Sequence, residues 1–198
     1  ESDASMDDDY SWSDCNAYGA TADFTMIGAK YDRKFTPGSY STIFLPYSVT
    51  TAQLKAAGFT QLQMVNVEDV TSASIPLITW DLTKASPMEY PTVPGQGYIV
   101  IAASKSGVDY AALDDFIKPS GGIAVQAANS ASANTSEATG LVGAYVYERR
   151  YQTSEVEGRT YMNYSYWNNQ FRVLGTVAQG GSEIKPFRAT FAVPQSTV

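Results

Sequence analysis

Tyr40-Ser41-Thr42-Ile43-Phe44-Leu45-Pro46-Tyr47-Ser48-Val49-Thr50 is the stretch on which the fold turns. An aromatic opens it and an apolar run follows. Pro46 then removes the backbone donor that a continuing ladder would need. The spacing predicts a buried strand over 40–45 with a hard stop, followed by a Ser/Thr-rich turn.

The neighbouring segments extend that reading in both directions. Upstream, Thr36-Pro37-Gly38-Ser39 is a turn signal. Before it, Ala20, Ala22, Phe24 and Met26 alternate with Thr21, Asp23 and Thr25, the period-two pattern of a half-buried strand. Residues 30–33 continue or turn that strand. Downstream, Thr50 or Thr51 supplies a capping oxygen for a short helix that Gly58 ends in a left-handed conformation. Strands are predicted at 61–67, 77–82, 98–103, 123–127 and 141–148. A second short helix is predicted over 109–118, stopped by Pro119 and Gly121-Gly122. The Ser/Ala/Asn/Thr stretch 129–139 reads as a loop. Asn168-Asn169 sits between two aromatic-rich runs and predicts a tight hairpin over 164–174, because Asn tolerates positive φ. A last strand spans 187–193 before Pro194. The whole pattern predicts a mainly β chain: an antiparallel β-sandwich, or two packed β subdomains, with one or two short helices.

Charge divides the 198 residues into two parts. Glu1, Asp3, Asp7, Asp8, Asp9, Asp14 and Asp23 precede the first base, Lys30. Removing those seven from the 20 acids leaves 13, which balances the 13 Lys and Arg. The reading is therefore an acidic arm over 1–19 and a neutral β domain over 20–198. Neither part suits nucleic acid or an anionic membrane surface as a partner. No apolar run approaches the roughly 18 residues of a transmembrane helix. The start at Glu1, without a basic-then-apolar leader, reads as a mature or trimmed form of something larger.

The chain has no His, which removes the usual general base near neutral pH and the Ser-His-Asp arrangement. A single Cys, Cys15, makes neither an internal disulfide nor a Cys-rich zinc site, although it could link two chains. The carboxylate pairs Glu68/Asp69, Asp114/Asp115 and Glu155/Glu157 sit in turn-like sequence and read as solvated rather than as a glycosidase pair. No cofactor is expected. Calcium is the one ion considered, at Asp7-Asp8-Asp9 with Asp3 and Asp14, although the spacing is not that of an EF-hand. No catalytic constellation emerges, and the chain is expected not to be an enzyme.

Three segments carry a resemblance. Arg33-Lys34-Phe35 through Thr50 resembles a module recurring in secreted and surface proteins of Bacteroidetes, in which an aromatic-x-Thr and apolar residues lead to Leu-Pro-Phe. Val93-Pro94-Gly95-Gln96-Gly97-Tyr98-Ile99-Val100 resembles that module's mid-domain turn and strand. Ile184-Lys185-Pro186-Phe187-Arg188-Ala189-Thr190-Phe191 resembles its closing strand. Tyr40 and Tyr47 stand where Trp and Phe are more usual. The likeness runs from about Ala20 to Val193 and leaves the arm outside. It implies an extracellular, cell-surface, β-rich module without catalytic residues, and it implies no ligand.

Two functional expectations follow. In the first, the protein is a structural subunit that associates with copies of itself on a bacterial surface, a filament being one form of that association. Asp7, Asp8 and Asp9 then meet Arg149 and Arg150 of a neighbour, with Tyr10 and Trp12 filling apolar notches, or a strand of 20–26 adds to an exposed sheet edge. In the second, the protein is a carbohydrate-binding or adhesive module. Tyr147, Tyr164, Tyr166 and Trp167 then form an aromatic platform for surface glycans.

Overall fold

The computed structural model describes residues 10–13, 22–26, 29–66, 69–70, 74–84, 92–103, 111–113, 123–125, 140–144, 148–156, 158–167, 170–185 and 188–195. Among them the chain is mainly β, its sheets are almost wholly antiparallel, and one short α-helix interrupts them.

The first of the two larger sheets grows from the opening stretch. Strand β4 (Tyr40–Phe44) is followed by helix α1 (Thr51–Ala56), and then by strands β5 (Phe59–Val65), β6 (Leu77–Asp81) and β7 (Gly97–Ala102). Their order is β4-β7-β5-β6, with every neighbour antiparallel. Two strands each antiparallel to β7 run parallel to one another. The β4-α1-β5 connection must therefore cross over β7, and α1 covers one face of the sheet. Thr50 caps the helix as expected: its side chain accepts from the Gln53 N–H while the Gln53 side chain accepts from the Thr50 N–H. Ala57 ends the last turn, and Gly58 follows with φ +97°, a value that disfavours a side chain.

The second sheet has the order β10 (Gly140–Ala144), β16 (Arg188–Pro194), β13 (Arg159–Trp167) and β12 (Thr153–Val156), with β14 (Gln170–Val173) beside β12 along the long strand β13. The expected hairpin is present. Trp167 pairs with Gln170 and Tyr164 with Val173 across a two-residue link. Asn168 and Asn169 themselves lie outside the described residues.

These two sheets share one core, as the layers of a sandwich do. Phe44, Ile99 and Val100 are fully buried in the same cluster as Ala189, Phe191 and Val193. The Ala189 N–H donates to Thr42 Oγ1 at 3.1 Å, across 147 residues of chain. Tyr40 meets Tyr166 edge-on at 5.7 Å, and Tyr166 meets Phe171 at 4.7 Å. Approach is closest where β10 crosses β4: a methyl group on Gly143 would sit 1.8 Å from Cγ of Phe44. Thr42 and Phe44 thus face the second sheet, which leaves the Ile43, Tyr98 and Val100 face to α1. Cover on both faces explains why β7 reads as an unbroken apolar run and why Thr42, Ile43 and Phe44 of β4 are all buried. Pro46 ends the ladder as predicted. Beyond it, Tyr47 and Val49 are buried, and Thr92 holds the segment by accepting from the Val49 N–H at 2.8 Å.

Three smaller units complete the described structure. Strand β1 (Tyr10–Ser13) pairs in parallel with β3 (Ala29–Phe35), which pairs antiparallel with β8 (Ala111–Leu113). Strand β2 (Phe24–Met26) pairs with β9 (Ile123–Val125). Strand β11 (Glu148–Arg150) pairs with β15 (Ser182–Ile184).

Two expectations are corrected here. Residues 111–113, predicted within a helix, form β8. Ala-Ala-Leu favours helix locally, but pairing with β3 overrides so weak a preference. The strand predicted over 141–148 is two strands. β10 pairs with β16, whereas Glu148 opens β11 against β15, in a separate two-stranded ribbon. The loop predicted at 129–139 lies outside the described residues.

Candidate functional site

Strand alternation gives the second sheet two chemically different faces. Ala189, Phe191, Val193, Tyr164, Tyr166 and Phe171 pack into the shared core. Between them, Tyr161, Asn163, Thr190 and Ala192 take the opposite face, where Tyr161 is paired with Ser154 and Asn163 with Ala192. That face is nonetheless buried: Tyr161 is 6% exposed, Asn163 7% and Thr190 3%. A second, smaller set of buried residues, Tyr161, Leu174 and Ile184, lies outside the main core cluster. Ile184 belongs to β15, so the β11–β15 ribbon accounts for the cover.

Under this cover lies a cleft of about 290 Å³. Its floor is Ser154, Val156, Tyr161, Asn163, Thr190 and Ala192, and its rim is Glu148, Arg149, Arg150, Tyr151 and Thr153. Arg150 ties the rim to the sheet. Its Nε donates to Glu148 Oε1, its Nη1 to Thr190 Oγ1, and its Nη2 to the Gly143 carbonyl oxygen at 2.8 Å. One guanidinium therefore joins β11, β16 and β10, a three-way bridge that its planar fork suits. Asn163 ties the floor: its Nδ2 donates to the Tyr151 carbonyl at 2.9 Å, and its backbone bonds Gln152 and Leu174. Arg149 lies outside, about half exposed. Its guanidinium donates to Glu183 Oε1 at 2.9 Å and to the Gly180 carbonyl at 3.0 Å.

The structure separates the residues that the sequence grouped. Asp7, Asp8, Asp9 and Tyr147 lie outside the described residues. Tyr10 and Trp12 belong to β1, opposite Ala29 and Tyr31 of the same chain. Arg149 and Arg150 are adjacent but each is already engaged within the chain. Tyr164 and Tyr166 are corrected: they pack against the inter-sheet core rather than forming an exposed platform. Burial raises the Tyr166 hydroxyl above the ordinary tyrosine range, and the nearby Tyr40 hydroxyl adds to the effect. The backbone of Trp167 pairs with Gln170 at the hairpin end.

Of the carboxylates weighed for catalysis, Glu68, Asp114, Asp115 and Glu157 lie outside the described residues. Asp69 accepts from Asn66 Nδ2 at 2.6 Å, and Glu155 accepts from the Thr160 hydroxyl at 2.6 Å, each a local contact. No group of three or more potential metal-binding side chains occurs among the described residues, which exclude the acidic run 7–9. None of the described helices is long and apolar enough to cross a membrane.

Sequence reasoning missed Tyr161, Asn163, Thr190 and Ser154. A partial signal was present: Asn163 and Ser165 alternate with Tyr164 and Tyr166 along β13, and Thr190 separates Ala189 from Phe191 in β16. Neither a family model, nor a curated protein, nor a solved structure matches the chain.

Proposed function

We propose that the protein is a non-enzymatic, extracellular structural subunit that associates with copies of itself on a bacterial surface through strand addition by its N-terminal arm. One observation carries the reading. β1 is a four-residue strand attached edgewise and in parallel to β3, from Tyr10↔Ala29 to Ser13↔Asp32. Parallel pairs are somewhat weaker per residue than antiparallel ones, and a strand this short contributes few bonds. The same backbone donors and acceptors on β3 fit β1 of a second copy equally well. Exchange of an identical element between copies costs little, and a head-to-tail exchange extends into a filament when its rotation does not close.

The chemistry of the contact differs from the charge pairing expected above. Arg149 and Arg150 already have partners within the chain, so the arm's attachment rests on backbone hydrogen bonds and not on those guanidinium groups. β2, the strand first considered for edge addition, pairs with β9 in the same chain. The test compares the full chain with a form lacking residues 1–19, by light scattering and electron microscopy over a range of concentrations. Concentration-dependent assembly of the full chain alone is the expected result. Two equally monomeric proteins would remove the reading.

A further inference from the structure

The cleft between the β11–β15 ribbon and the second sheet is not used by strand exchange. We propose that it binds a neutral, hydroxyl-rich ligand of monosaccharide size.

Three observations point there. The first is a pair of hydroxyl groups, of Tyr161 and Ser154, in the lining. Tyr161 is 6% exposed and lines the cleft, and no hydrogen bond joins its hydroxyl to another described residue. Beside it, the Ser154 hydroxyl reaches Asn163 Oδ1 only at 3.5 Å, too long for a good O–H···O bond. Neither hydroxyl is a sealed, unsatisfied group, and both can donate and accept toward a molecule in the cleft. The second is charge. Arg150 faces Glu148 and Arg149 faces Glu183, so the ionic groups at the rim cancel in pairs and offer no net field to an anion or a cation. The third is the lining. Hydroxyl, amide and charged groups predominate, with Val156 and Ala192 the aliphatic members, and Tyr151, 39% exposed, stands at the rim. A sugar ring asks for that mixture: donors and acceptors for its hydroxyls, and one aromatic face for its C–H surface. A volume of about 290 Å³ lies at the lower end of ligand pockets, which excludes a drug-sized or nucleotide ligand.

The proposal is independent of self-association, and its test uses the intact chain. Free D-glucose, D-galactose, D-mannose and N-acetyl-D-glucosamine are titrated by calorimetry and by saturation-transfer NMR, with N-acetylneuraminate as the anionic comparison. Saturable binding of at least one neutral sugar is expected. Tyr161→Phe should weaken it about tenfold, the worth of one lost hydrogen bond to the ligand, without lowering the thermal midpoint. Ser154→Ala should weaken it as well, with a smaller change. The same sugar displayed at the end of an immobilised chain separates a soluble ligand from a surface glycan. Three results would each overturn the proposal: no binding by any neutral sugar, equal binding by Tyr161→Phe, or preference for the anionic sugar.

Discussion

Gly143→Ala tests the packing of the two larger sheets with one methyl group. The added carbon would lie 1.8 Å from Cγ of Phe44 and within 2.3 Å of both its Cδ atoms. Ordinary contact begins near 3.4 Å. The sheets would have to part by more than an ångström, or the Phe44 ring would have to leave a site where its exposure is 0%. Parting is resisted by the Ala189–Thr42 hydrogen bond, which joins the two sheets. Overpacking of this kind costs about 1–3 kcal/mol, and displacing a buried Phe ring forfeits another ~1.5–3 kcal/mol. A destabilisation of about 3–5 kcal/mol is therefore expected, which lowers the thermal midpoint of a chain this size by roughly 6–20 °C.

The assay is urea unfolding followed by tryptophan fluorescence and circular dichroism, with the slope held common so that midpoints report stability. Phe44→Leu alone should cost about 1–2 kcal/mol. In the double variant the smaller side chain makes room, so the two costs should fall short of their sum by more than about 1 kcal/mol. A Gly143→Ala protein within about 0.5 kcal/mol of the parent would refute the close crossing of β10 over β4. Strict additivity in the double variant would refute it independently.

Two further outcomes follow from the same geometry. Arg150→Met strands the Glu148 carboxylate and the Gly143 carbonyl in a mostly buried setting and should cost about 2–4 kcal/mol, whereas Arg149→Ala on the exposed side should change stability by less than about 0.5 kcal/mol; equal urea midpoints for the two variants would show that the three-way bridge is absent. At alkaline pH the buried hydroxyls of Tyr98 and Tyr166 matter, because burial raises both above the ordinary value. In the unfolded chain they release protons near pH 10. Their contribution is thus complete below that pH and is lost as pH rises through the higher folded values, so the thermal midpoint should fall across that interval and fall less steeply in Tyr166→Phe.

Much of the local structure was legible because its causes act within a few residues. Thr50 caps a helix, Gly58 accepts a positive φ, Pro46 stops a ladder, and the residues flanking Asn168-Asn169 pair with one another. The site was less legible. Arg150 in sequence is a charge in a basic run, and only its reach to Thr190, 40 residues away, shows that it faces inward. Tyr164 and Tyr166 in sequence are aromatic residues on a strand. Only the position of Tyr40 on the other sheet shows which way they point.

By itself the chain's order of residues determined that it would be built mainly from antiparallel strands, where several of them, such as β4, β6, β7 and β16, would run, and that an acidic, base-free segment would precede them. Periodicity and turn chemistry are properties of neighbours, and neighbours are written in the sequence. Tertiary structure decided which strands pair, that β7 is covered on both faces, that 111–113 is a strand, and that a ribbon folds over the polar face of the second sheet to enclose a cleft. Those outcomes depend on close packing between segments such as Thr42 and Ala189, whose meeting no local pattern records.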